Sequence, residues 1–155
     1  MTELTAGAPA PDFSLPANGG ATLSLSDYKG KKVVLFMYPR DNTSGCTKEA
    51  IGFTEKLAEF EAAGAVVLGL SKDSVASHDK FVAKQNLGIP LLSDENDQVV
   101  EAYGAWVEKS MYGKKYMGIE RSTFLIDGDG VLREIWRKVK VPGHVDAVLE
   151  AVKTL

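Results

Sequence analysis

The chain has 155 residues, a formal net charge of −3, and 45% hydrophobic, 25% charged and 8% aromatic residues. That length suits one domain, 1–155, and the balance is ordinary globular usage, which excludes a disordered, collagenous or coiled-coil protein. There is no basic excess to neutralise phosphates, so nucleic acid is not an expected partner.

The N-terminal segment MTELTAGAPAPDFSLPANGG has no basic start and no apolar stretch of the kind that marks a signal peptide. The longest clean apolar run, VVLFMY at 33–38, is far short of a membrane span, so a cytoplasmic location is expected. Residues 1–30 read as an extended arm and hairpin, with Pro9, Pro11 and Pro16 in the arm and a turn at Asn18-Gly19-Gly20. Residues 32–38 are continuous, apolar and rich in β-formers, as in a strand buried on both faces of an α/β sheet. A helix is expected over 46–63, with Ala50, Ile51, Phe53, Leu57 and Phe60 on its apolar side and Gly64 after its end. Residues 65–70 form a second buried strand, which completes a βαβ unit. A helix over 74–86, a short extended piece at 89–92 and a short helix within 96–103 follow. Residues 121–126 and 131–136 make a hairpin about the turn Asp127-Gly128-Asp129-Gly130. An amphipathic helix over 144–152 closes the chain. This order predicts an α/β fold: a central mixed β-sheet with helices on both faces.

The segment richest in chemistry is the loop from Tyr38 to Glu49. It leaves the C-terminal end of a buried strand, where open α/β sheets place their sites. Cys46, the sole cysteine, falls in the first turn of the next helix, where free N–H groups and the helix dipole favour thiolate over thiol. The Thr43 hydroxyl, three residues earlier, can point back at the sulfur, and Gly45 lets a small substrate approach the backbone. An inert core thiol is the competing reading, but the polar neighbours Thr43, Ser44 and Thr47 speak against an apolar pocket.

At these residues the sequence resembles the peroxiredoxins. Pro39-x-x-x-Thr43-x-x-Cys46 matches their active-site motif. The longer string Thr43-Ser44-Gly45-Cys46-Thr47, together with Ile119-Glu120-Arg121-Ser122-Thr123-Phe124-Leu125-Ile126, is similar to the PrxQ (bacterioferritin comigratory protein) subfamily. The APDFSLP, LGLSKDS and PLLSD segments extend the likeness over nearly the whole chain. The resemblance implies a thioredoxin-like fold and a thiol-dependent peroxidase acting on hydrogen peroxide and organic hydroperoxides, with no cofactor or metal. It makes Cys46 the peroxidatic cysteine, whose thiolate attacks a peroxide oxygen and becomes a sulfenic acid. It makes Arg121 the arginine that holds the thiolate and the peroxide, Thr43 a donor to the peroxide, Pro39 a shield of the pocket, and Glu49 the carboxylate that orients an arginine. Without that resemblance Arg121 reads as a solvated charge at a strand end.

The sequence departs from the subfamily where a second, resolving cysteine is expected. Position 51 is Ile51, and Phe81-Val82-Ala83 holds no cysteine either. No internal disulfide can therefore follow oxidation. This reading is a one-cysteine form recycled by glutathione, glutaredoxin or thioredoxin, present as a monomer or weak homodimer. Two rivals stand beside it. A cysteine hydrolase would need His78 or His144 within hydrogen-bond reach of Cys46. A non-enzymatic binding protein would need an exposed apolar patch. Both histidines are expected at the surface or half-buried. Asn42-Thr43-Ser44 reads as a chance sequon and Asp127–Gly130 as a turn rather than a calcium loop. Residues 106–117 are expected as a loop that covers the site or supports self-association.

Overall fold

A computed structural model describes residues 4–155. The first three residues of the expected arm lie outside that range. The rest of the arm forms a small hairpin, β1 (Ser14–Pro16) against β2 (Thr22–Ser24), with Leu15 opposite Leu23. The Leu91 N–H donates to the Asn18 side chain at 2.8 Å, which ties the tip of this hairpin to the main sheet. Reciprocal bonds between Ser24 and Asp27 cap the following 3-10 turn, Leu25–Tyr28.

The chain then runs through β3 (Lys32–Met37), α1 (Ser44–Glu55), α2 (Leu57–Ala62), β4 (Ala65–Ser71), α3 (Val75–Gln85), β5 (Leu91–Ser93) and α4 (Gln98–Ala102). It continues through β6 (Trp106–Met111), β7 (Lys114–Ile119), β8 (Ser122–Ile126), β9 (Leu132–Trp136) and α5 (His144–Thr154). Five strands form one sheet in the order β5-β4-β3-β8-β9. Its centre, β3, pairs parallel with β4 and antiparallel with β8, so the sheet is mixed, as the sequence predicts.

The uninterrupted apolar run of β3 is explained by two cores. Val33, Leu35 and Met37 face one of them, with Val99 and Val100 of α4 and residues of the arm. Val34, Phe36 and Tyr38 face the other, with side chains of α1, α2, α3 and α5. Phe36 stacks on Phe53 at 4.6 Å and so docks α1 on β3. Burying such a side chain contributes about 1.5–3 kcal/mol. Gly69 on β4 leaves room for it, since a Cβ there would stand 2.8 Å from the Phe36 ring.

Three expectations are corrected. The helix expected over 46–63 begins at Ser44 and breaks at Lys56 into α1 and α2. Just before the break the Thr54 hydroxyl donates to the Ala50 carbonyl at 2.9 Å, a bond that bends helices. Residues 106–117 are not a loop: they belong to the β6–β7 hairpin, turned by Tyr112 and Gly113, both at positive φ. Finally, His78 and His144 are buried, at 0% and 7% exposure, because ring nitrogens of both have hydrogen-bond partners inside the protein.

Candidate active site

The antiparallel pairing of β3 and β8 assembles the site. Met37 lies opposite Ser122, so Tyr38 and Arg121 leave the same end of the sheet on neighbouring strands. From there the chain runs through residues 39–43 into α1, and Cys46 becomes the third residue of that helix. Phe53, two turns on, anchors the helix, and Cys46 is left 1% exposed.

Arg121 spans two acceptors. Its Nη2 donates to Cys46 Sγ at 3.3 Å and its Nη1 to Glu49 Oε1 at 2.7 Å. Glu49 sits one helical turn after Cys46 and is fully buried. Burial pushes its carboxyl up to about 7 although the Arg121 guanidinium opposes the shift. Burial pulls Arg121 the other way, but Glu49 and Cys46 together leave it above its ordinary value. Gly45 matters for space: a Cβ there would lie 3.1 Å from Arg121 Nη2.

Thr43 occupies the N-cap position of α1, but its hydroxyl donates to the Arg40 carbonyl at 2.9 Å. It closes a turn that includes Asn42 at φ 63 and does not point back at the sulfur. Pro39 is half-buried beside this turn. Of the six residues singled out in the sequence, the structure joins Cys46, Glu49 and Arg121 by hydrogen bonds and sets Gly45 against Arg121. Thr43 and Pro39 lie on the approaching loop.

Residues without a sequence signal hold that loop. Asp41 is buried and accepts from the Tyr38 hydroxyl at 2.6 Å, from the Ser77 hydroxyl at 2.8 Å and from His78 Nδ1 at 2.7 Å. His78 Nε2 faces the Leu92 carbonyl at 2.9 Å. Burial raises the Asp41 carboxyl, but the bonds from His78 and Tyr38 leave it below its ordinary value. The Asp41 N–H in turn donates to Asp73 at 2.8 Å, which clamps the loop to the turn after β4. His144, weighed in the sequence only as a candidate hydrolase base or a surface or half-buried residue, also faces this site. Its Nε2 lies 2.8 Å from Thr123 Oγ1 and 4.0 Å from Glu49 Oε2. The hydrogen bonds of both histidines thus go to groups other than Cys46, which removes the base that a cysteine hydrolase requires. Among the described residues no His, Cys, Asp and Glu side chains cluster to hold a metal, and no helix is long and apolar enough to cross a membrane.

Known proteins match the chain over nearly its whole length. The AhpC/TSA family model matches residues 6–135. A Coxiella burnetii protein with a provisional peroxiredoxin Bcp name is 55% identical over 143 residues, 92% of this chain and 95% of that one. Peroxiredoxin Bcp of Xanthomonas campestris is 48% identical over 155 residues, 99% of this chain and 97% of that one. The solved structure of Xanthomonas campestris peroxiredoxin Q superposes with a TM-score of 0.91 at 46% identity, covering 96% and 97% of the two chains. The chain belongs to the AhpC/TSA family, and its fold is the thioredoxin-like fold of peroxiredoxins. Within that family it is a peroxiredoxin of the Bcp, or PrxQ, type, a thiol-dependent peroxidase. Solved variants of the Xanthomonas campestris protein replace two different cysteines by serine, whereas this chain has Cys46 alone.

Proposed function

We propose that Cys46 is the peroxidatic nucleophile and that the enzyme reduces hydrogen peroxide and organic hydroperoxides by a one-cysteine cycle. The observation that carries this reading is the guanidinium of Arg121, bonded at once to Cys46 Sγ and to buried Glu49. A permanently charged fork bonded to the sulfur is placed to meet a peroxide at the same spot. The thiolate attacks one peroxide oxygen. An S–O bond forms, the O–O bond breaks, and the sulfur is oxidised to a sulfenic acid while the other oxygen leaves as hydroxide or alkoxide and takes a proton from water. Arg121 stabilises the charge that grows on that oxygen. Glu49 fixes the guanidinium, Gly45 leaves room for it, and Pro39 shields the sulfur from bulk water; Thr43 serves the peroxide once its hydroxyl turns away from the Arg40 carbonyl that it bonds in this structure.

With no second cysteine, the sulfenic acid condenses with an external thiol, releasing water and forming a mixed disulfide. A second thiol then frees the thiolate. Glutathione, glutaredoxin or thioredoxin fits this role, in the cytoplasm, with the enzyme as a monomer or weak homodimer. A solved structure of the Xanthomonas campestris relative is described with an alkyl peroxide reduction activity, which supports organic hydroperoxides as substrates here. The test is intact mass of the reduced protein after one equivalent of peroxide, with and without glutathione. A gain of one oxygen, converted by glutathione to a mixed disulfide and absent in Cys46→Ser, is expected. A thiol that oxidises no faster than free cysteine would overturn the reading.

A further inference from the structure

We propose that His144 is a positioning residue of the peroxidase site, acting through Glu49 to hold Arg121 over Cys46. The inference rests on the reading of Cys46 and Arg121 as the reacting pair. Only one oxygen of Glu49 is satisfied: Oε1 accepts from Arg121, while Oε2 is buried without a hydrogen-bond partner. A bare carboxylate oxygen in a dry pocket destabilises the ionised form that the ion pair needs. His144 Nε2 stands 4.0 Å from it. The ring is held by one hydrogen bond and two aromatic contacts. Thr123 Oγ1 holds Nε2 at 2.8 Å, and Phe53 and Trp136 meet the ring edge-on at 6.3 Å and 5.9 Å. With its hydrogen on Nε2, the imidazole donates to Thr123 Oγ1, and the polarised nitrogen 4.0 Å from Oε2 adds an electrostatic contact rather than a second hydrogen bond.

The charge state suits the task. Burial and the nearby Arg121 pull His144 down to about 4, so the ring is neutral. A neutral ring lends Glu49 a dipole, whereas an imidazolium would compete with Arg121 for the same carboxylate. The charged and titratable groups that meet Glu49 are Arg121 from the β7–β8 junction and His144 from the start of α5. Cys46, one turn earlier on α1, meets the same guanidinium.

The test is the rate of Cys46 oxidation by hydrogen peroxide, followed by stopped-flow fluorescence from about pH 6 to pH 9. His144→Phe keeps the ring between Phe53 and Trp136 but removes the N–H. It should slow the reaction roughly tenfold at neutral pH, an effect expected of a sub-ångström loss of alignment, and the rate should recover at the alkaline end. His144→Gln, which returns an N–H near the Nε2 position, should restore most of the rate. Thr123→Val, which frees the ring, should behave like His144→Phe, and it serves if the phenylalanine variant folds poorly. In a Glu49→Gln background, His144→Phe should have no further effect. Equal slowing at every pH, or in both backgrounds, would reduce His144 to a packing residue. A normal rate in His144→Phe with a slow Arg121→Ala would sink this inference alone. A normal rate in Arg121→Ala would sink the reading of the site beneath it.

Discussion

Gly45 lies directly beneath Arg121: a Cβ on the glycine would come within 3.1 Å of the guanidinium Nη2 that bonds Cys46. The atom in the way is the far end of a long side chain, so the arginine can yield while the backbone stays put. Gly45→Ala should therefore leave stability unchanged or slightly raised, since alanine is the better helix former. Peroxide turnover should fall roughly tenfold as the guanidinium is displaced. Thermal melts and steady-state peroxidase assays on the same sample separate the two effects. Equal losses in both would mean that the helix, not the arginine, gave way.

Arg121 should be replaceable neither by a neutral residue nor by lysine. Arg121→Ala removes the charge beside the sulfur, and the loss of a donor aimed at developing charge costs roughly a hundredfold or more in rate. Arg121→Lys keeps the charge, but a single ammonium cannot hold Sγ and Glu49 together as the fork does. We expect it to recover only part of the rate. Second-order rate constants for peroxide, measured under single turnover, are the check. Full activity in the lysine variant would show that charge alone suffices.

Glu49 and His144 should pull the pH dependence of stability in opposite directions. Glu49, raised from 4.5 to about 7, binds its proton more tightly in the folded state. Its contribution is therefore complete below about pH 4.5 and is lost as pH rises through about 7. His144, lowered from 6.5 to about 4, binds its proton less tightly when folded. Its contribution is present above about pH 6.5 and is lost as pH falls through about 4. Across the shared window the two slopes offset one another. Glu49→Gln should unmask a melting temperature that rises with pH, and His144→Phe one that falls. Melts at half-unit steps from about pH 4 to pH 8 are decisive, and parallel curves for all three proteins would refute the assignment.

The clamp around Asp41 should matter for stability as well as geometry. Removing His78 leaves a buried carboxylate with fewer donors, and breaking a buried pair in this way costs about 3–5 kcal/mol. For a domain of this size that lowers the melting temperature by roughly 10 °C. Because the Asp41 carboxyl sits below its ordinary value of 3.8, the stability it contributes is present above about pH 4 and is lost on further acidification. His78→Ala should show the loss at neutral pH. A melting temperature within a degree or two of the unaltered protein would show that the clamp is dispensable.

What the sequence made legible follows from what each residue shows to its neighbours along the chain. The runs at β3 and β4 are apolar without interruption because both faces are buried, and that pattern needs no tertiary knowledge. The Asp127–Gly130 turn is equally local: Asp127 Oδ1 accepts from the N–H groups of Asp129 and Val131. The β6–β7 hairpin escaped because much of both strands is exposed, with Tyr112 98% exposed at the tip, so no alternation of apolar and polar residues marks it. Burial of His78 and His144 depends on Asp41 and Thr123, partners 37 and 21 positions away, and spacing along one helix cannot show that. Arg121 was found through a family motif, since 75 positions separate it from Cys46.

Those 75 positions are closed by a ladder of backbone hydrogen bonds. Met37 faces Ser122, and the two chains depart side by side from that rung. The spacing of sulfur and guanidinium is therefore a reading on a ruler whose divisions are peptide groups. A slip of β8 by two residues would return every side chain to its proper face of the sheet. It would also carry Arg121 about 7 Å along the strand, well outside reach of the thiol. Such a misregistered protein would keep its strand content and reduce no peroxide. For this enzyme, correct folding is a matter of counting as much as of burial.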